Sequence, residues 1–244
     1  MVFAAGLLSL ALFALPALAA PRGAARSTLA SRVAGRRSGP KIPSNGINAL
    51  TKGSSNVEYS QNWAGASFES AKNTYKAVTG SFVVPTPSAP KGGSGSYAAS
   101  AWVGIDGDTC ETGILQTGVD FTVDNGKVSY DGDTINVTVV AASTTSGTAT
   151  ITNESTGVTV SKSLKSSAKL CFENAEWIVE DFEEGDSLVK FADFGSVTFT
   201  NAVATLQSGG TTGPTGAVLI DIEQSNKVLT STSTTSDSVT VSYT

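Results

Sequence analysis

The chain contains no histidine, and its only methionine is Met1. Without an imidazole, neither the Ser-His-Asp nor the Cys-His arrangement of most hydrolases can be assembled, and the common zinc sites lose a usual ligand. Cysteine is nearly as scarce, with Cys110 and Cys171 the two present. Only one long apolar run occurs, Val2 to Leu15, which is too short for a comfortable membrane span and is followed by no stop-transfer pattern. A Ser-Lys pair remains conceivable, but Ser161-Lys-Ser-Leu-Lys165 reads as a solvated strand edge. If the chain is an enzyme, its chemistry comes from carboxylates, amides and hydroxyls, with no metal and no cofactor expected.

Negative charge is absent from the first 57 residues, which carry Arg22, Arg26, Arg32, Arg36, Arg37, Lys41 and Lys52. The remainder holds nine lysines and all 21 acidic residues, a net charge of −12. A basic leader before an acidic domain argues against nucleic acid as the domain's target. It fits a pro-segment that pairs with the domain until removed; a disordered tail without a role is the alternative.

The organisation follows. Residues 1–19 combine an apolar h-region with Ala17-Leu18-Ala19, the form of a secretory signal peptide, so a soluble, secreted, extracellular protein is expected. Residues 20–56 are rich in Ala, Arg, Ser, Gly and Pro and are read as a pro-peptide outside the fold, cleaved between Arg37 and Val57. From residue 57 to 244 the chain is a series of short runs rich in Val, Thr and Ser, separated by Gly/Pro/Asp turns. No long 3.6-residue period interrupts them, so the fold class expected is all-β, an antiparallel β-sandwich. In a secreted chain the two cysteines most simply pair, closing a loop of about 60 residues and contributing roughly 4 kcal/mol. Asn136-Val-Thr138 and Asn153-Glu-Ser155 are sequons.

Two stretches concentrate chemistry. In Ala101–Asp106, Ala101, Val103 and Ile105 alternate with Trp102, Gly104 and Asp106; in Gly113–Val123, Leu115, Val119, Phe121 and Val123 alternate with Ile114, Gln116, Gly118 and Asp120. Period two sends one set to a core and gathers a Trp, a Gln and two Asp on the other face, like a cleft floor or, more plainly, a polar solvent face. In Ala175–Phe182, Glu176, Ile178, Glu180 and Phe182 share a face. Carboxylates interleaved with apolar groups suit partial burial, which raises a Glu pKa. An acidic edge strand that resists aggregation is the competing reading.

Asn62-Trp-Ala-Gly65, Trp102-Val-Gly-Ile-Asp-Gly-Asp-Thr-Cys110, Ile114-Leu-Gln-Thr-Gly118 and Asn174-Ala-Glu-Trp-Ile-Val-Glu-Asp-Phe-Glu183 together resemble the glutamic peptidases of filamentous fungi, the eqolisins. The resemblance spans Glu58–Thr244. It implies two large antiparallel sheets of concanavalin-like or jelly-roll type, a monomer, and polypeptide substrates besides the chain's own pro-segment. It also implies a catalytic dyad at Gln116 and Glu180, substrate contacts from Trp102, Asp106, Trp63 and Asp131, and a Cys110–Cys171 disulfide. One departure stands out: Val128-Ser-Tyr-Asp131 passes directly to Gly132-Asp-Thr-Ile135, where the family has an aromatic-acidic run of Trp-Tyr-Glu-Trp-Tyr-Pro type. Roughly two dozen residues are missing relative to that pattern. The alternatives are a catalytically impaired homologue, a carbohydrate-binding β-sandwich using Trp102, Asp106 and Gln116, and a glycosidase pairing Glu176 or Glu180 with Asp106.

Overall fold

The computed structural model describes residues 10–13, 35–46, 57–129 and 131–244. The expected signal peptide apart from residues 10–13, and most of the expected pro-peptide, therefore lie outside the described residues. The principal strands are β1 (Val57–Ser60), β2 (Trp63–Glu69), β3 (Tyr75–Val83), β4 (Ser96–Ile105), β5 (Leu115–Asp124), β6 (Thr134–Ser143), β7 (Ser146–Asn153) and β8 (Val158–Lys165). They continue with β9 (Asn174–Glu180), β10 (Ser196–Leu206), β11 (Val218–Gln224), β12 (Thr230–Thr234) and β13 (Val239–Tyr243).

Two large sheets result. The front sheet runs β5-β4-β9-β2-β11 and the back sheet β8-β7-β6-β3-β10-β13-β12. Their inner faces carry the alternating apolar residues that the sequence presents. Ala99, Ala101, Val103 and Ile105 of β4, Phe121 of β5 and Ala175, Trp177 and Val179 of β9 share one core with Val78, Phe82, Val137, Val139 and Phe199 of the back sheet. Each fully buried aliphatic side chain contributes about 1.5–3 kcal/mol. Trp177 places its bulk in this core and satisfies its indole N–H by donating to the Thr79 carbonyl at 2.9 Å.

Three features depart from the sequence reading. β2 is a central strand that the pattern does not announce, because Ala64, Gly65, Ala66 and Ser67 are small and weakly hydrophobic. They are small because β2 is squeezed: a Cβ at Gly65 would lie 2.0 Å from the Trp177 carbonyl oxygen. β9 is no edge strand; it lies between β4 and β2 and is buried along its whole length. The front sheet is not wholly antiparallel, since β1 lies parallel to β11 and Leu10–Phe13 lies parallel to Leu115–Gly118 of β5.

The segment read as lying outside the fold is partly inside it. Residues 35–46 form a strap over the front sheet. Arg36–Arg37 pairs antiparallel with Glu183–Glu184, the Lys41 amide donates to Gly107 O at 2.9 Å, and the Ser44 amide donates to Tyr59 O at 3.0 Å. Cys110 and Cys171 are disulfide-bonded, with Cα atoms 6.0 Å apart. Of the two sequons, Asn136 sits within β6 and its amide nitrogen donates to Ser81 Oγ at 3.0 Å.

Candidate active site

The outer face of the front sheet is organised in cross-strand rows. Gln116, Gly104, Glu176 and Ser67 form one row across β5, β4, β9 and β2. Gly118, Trp102, Ile178 and Gly65 form the next, and Asp120, Ser100, Glu180 and Trp63 the one beyond. Trp63, Trp102, Ile178 and Ile220 make an apolar patch separate from the main core, the two indoles meeting edge to face at 4.8 Å. The Trp102 ring is placed by glycines on two sides. A Cβ at Gly118 would stand 2.4 Å from Trp102 Cβ, and one at Gly104 would stand 2.8 Å from Trp102 Cζ3.

Glu180 is fully buried in this floor. Its Oε2 accepts from Trp102 Nε1 at 2.9 Å, from Ser100 Oγ at 3.5 Å and from the Ser38 hydroxyl of the strap; its Oε1 accepts from the Gly39 amide at 3.4 Å. Burial pushes the carboxyl up to about 7, against the pull of Arg36 and of these donors. The neighbouring Asp181 is raised further, to about 8, by burial and then by the Glu180 charge, although Gln224 Nε2 donates to it at 2.7 Å. Burial raises Glu176 well above the usual range, reinforced by Asp106 and Asp108 and opposed by Lys41.

The strap meets this acidic floor with cations. Arg36 Nε donates to both Asp120 oxygens at 2.6 and 2.8 Å, its Nη1 donates to Ser38 Oγ at 2.9 Å, and its guanidinium lies 4.4 Å over the Phe182 ring. Lys41 Nζ stands 2.5 Å from Asp108 and 2.8 Å from Glu58. Burial lowers the Lys41 pKa, but these carboxylates outweigh it and the net shift is upward. Asn62 tethers the same segment, accepting from the Ile42 amide at 2.8 Å and donating to Pro40 O at 3.1 Å.

The expected site residues separate into groups. Trp102, Trp63 and Glu180 are brought together. Gln116 is buried on the same face, neither of its amide atoms has a hydrogen-bond partner among the described residues, and it shares its row with Glu176 rather than with Glu180. The Trp102 indole spans the interval, its ring over Gly104 and its N–H on Glu180. Asp106 is fully buried just past the end of β4. Its oxygens accept four backbone amides, from Cys171, Phe172, Glu173 and Asn174, at 2.7–3.1 Å. It thereby fixes the entry to β9, the strand that carries Glu176 and Glu180. Its backbone adopts φ +67°, a left-handed conformation that Asp tolerates better than most side chains. Asp131 is exposed beside the exit of β3, where Thr86 Oγ1 donates to it at 2.8 Å, and it does not join the floor. Arg36, Ser38 and the Lys41–Asp108 pair escape sequence reading as individuals; the cation-rich leader before an acidic domain was their only signal.

A two-sheet β-sandwich with buried carboxyls and, among the described residues, an unpaired glutamine amide on one face defines a β protein whose front sheet carries a buried acidic floor. The Peptidase A4 family matches residues 61–132 and 130–243, and the chain belongs to that family. Aspergillopepsin-2 of Aspergillus niger is 48% identical over 274 positions, covering 95% of this chain and 96% of the relative. Scytalidopepsin B of Scytalidium lignicola is 36% identical over 254 positions, covering 93% of each. A crystal structure of scytalido-glutamic peptidase with a transition state analog inhibitor superimposes with a TM-score of 0.66 at 37% identity, over 75% of this chain and 98% of that one. The chain is thus a glutamic-type peptidase of β-sandwich fold. The family match divides at residues 130–132. The alignment of 274 positions exceeds the 244 residues of this chain, so at least 30 aligned positions have no counterpart in it.

Proposed function

We propose that the chain is the precursor of a secreted acid endopeptidase that cleaves peptide bonds by direct attack of water, with Glu180 and Gln116 as the catalytic pair. The observation that carries this is a desolvated carboxyl held by the Trp102 N–H, on one face with a buried unpaired amide, in a chain without histidine. Glu180 as carboxylate takes a proton from the water and returns it to the leaving amine. Gln116 donates to the developing oxyanion, and an amide does not titrate in acid. With the strap in place Glu180 has a pKa of about 7 and is neutral in acid. Departure of the strap returns water to the carboxyl, which lowers its pKa, and takes away Arg36, Ser38 and Gly39, which hold it down in the strapped form; Glu180 acts as a base in acid where rehydration outweighs those losses.

Residues 35–46 act as the inhibitory part of the pro-segment. A synthetic peptide of this sequence should inhibit the processed domain at pH 5. Replacing Arg36 by Ala should weaken it at least about tenfold, since a hydrogen bond between charged groups is worth about 1.5–3 kcal/mol. Equal inhibition constants for the two peptides would remove Arg36 from the latch.

The break in the family match supports reading a segment as missing after Asp131. The decisive measurement is hydrolysis of casein at pH 3–4, with and without pepstatin. The 244-residue form should be weak and pepstatin-resistant, and reinserting the family's aromatic-acidic segment after Asp131 should raise its rate by at least about tenfold, as expected when a cleft wall that excludes water is restored. Full activity without the segment would show it to be dispensable. No hydrolysis with the segment restored and the strap removed would refute the function.

A further inference from the structure

Glu176 has no part in the pair above, yet it is among the most completely buried charged residues of the molecule. Neither of its oxygens has a hydrogen-bond partner among the described residues. The same holds for both amide atoms of Gln116 and for Ser67 Oγ, and all three side chains belong to one cross-strand row. Buried polar atoms are nearly always paired. Five orphaned atoms in one row point to partners within that row.

The geometry permits the pairing. Gln116 and Glu176 are separated by β4 alone, about 10 Å between strands two apart, a span that a Gln and a Glu reaching toward each other can close. The residue between them is Gly104, which offers no side chain, and Glu176 already leans over it: its Oε2 lies 3.0 Å from where a Gly104 Cβ would be. The groups facing Glu176 are Asp106 and Asp108 from the turn after β4, Lys41 from the strap and Tyr75 from β3. Lys41 is committed to Asp108 and Glu58. A carboxylate left unpaired in such a site is costly, so the neutral acid is the form that fits.

We infer that Glu176 is a positioning residue: its carboxylic O–H donates to Oε1 of Gln116 and turns the Nε2–H toward the cleft. A glutamine side chain is otherwise free to present either end. If an ionised Glu176 accepted from Nε2 instead, one of the two N–H groups would be taken and the amide would be turned with Oε1 toward the cleft. Gly104 leaves room over β4 that the Glu176 carboxyl shares with the edge of the Trp102 ring, whose Cζ3 would stand 2.8 Å from a Cβ there, and the Ser67 hydroxyl is the neighbour available to the second Glu176 oxygen.

The inference rests on the proposed role of Gln116, so its test needs a readout that does not depend on hydrolysis. In the full chain labelled with 15N, the Gln116 side-chain amide is assigned by its loss in Gln116→Ala and followed from pH 3 to 9. Its resonance should move with the ionisation of Glu176 and should lose that dependence in Glu176→Gln, an isosteric variant that keeps a donor and the fold. A Gln116 resonance indifferent to both pH and Glu176→Gln overturns the inference. In the segment-restored enzyme, Glu176→Leu should lower kcat about 10- to 100-fold with little change in KM, the scale of a misplaced catalytic group. Glu176→Gln should keep most of the rate and extend activity to higher pH. Wild-type kcat in Glu176→Leu overturns the inference. If no form hydrolyses peptide, the amide titration still decides it while the peptidase reading fails.

Discussion

In the segment-restored enzyme, Glu180→Gln should abolish measurable hydrolysis of casein at pH 3–4, and Gln116→Ala should reduce it nearly as far. General acid–base catalysis contributes about 10²–10⁴ in rate, and loss of one oxyanion donor costs about 10²–10³. Glu180→Gln changes no volume and keeps an acceptor for the Trp102 N–H, so the floor around it should remain intact. Gln116→Ala vacates space and, on the inference above, leaves the Glu176 carboxyl without its partner, so the denaturant midpoint should fall while the fold survives. The two losses should be far from additive, since the groups act on one water and one carbonyl. Circular dichroism and denaturant midpoints establish that the fold survives, and progress curves with casein give the rates. Wild-type turnover in either variant would take that residue out of the mechanism.

The processed domain should be more stable at pH 3–4 than at pH 8. Asp181 has a folded pKa of about 8 and Glu176 is also raised, whereas the value of about 7 for Glu180 belongs to the strapped form and does not enter the processed domain's balance. A raised acid holds its proton in the folded state over a range where the unfolded chain has released it. Its contribution is therefore full below the ordinary carboxyl range near pH 4 and is lost as pH climbs to about 8. Asp181 is held by Gln224 and not by the strap, so its share survives processing. Net charge acts in the same direction. Residues 58–244 hold nine lysines and no histidine, so little positive repulsion builds in acid, whereas at neutral pH they carry −12. The combined difference is on the order of several kcal/mol. Urea titrations at the two pH values measure it, and a higher midpoint at pH 8 with an unchanged slope would contradict it.

The chain's local pattern carried a good deal of this protein. Period-two alternation separates Ala101, Val103 and Ile105 from Trp102 and Gly104, and Ala175, Trp177 and Val179 from Glu176, Ile178 and Glu180, in just the division the sheets use. That works because successive side chains of a strand point to opposite faces whatever strand lies beside it. The lack of histidine bounded the chemistry, and the charge asymmetry signalled a partner for the acidic domain. What the pattern could not carry is whatever depends on neighbours. β2 is central because small residues let it lie between β9 and β11, and small residues are a weak hydrophobic signal. Asp106 was legible as a polar residue at a turn, but only the arrival of residues 171–174 turns its carboxyl into an anchor for four amides. The row that aligns Gln116 with Glu176, and sets Glu180 beside Asp120, depends on the registers of three strands drawn from distant parts of the chain. Register and burial are long-range quantities, so tertiary structure alone decided which carboxyls lost water, which met Arg36 and Lys41, and which were left to find partners across the sheet.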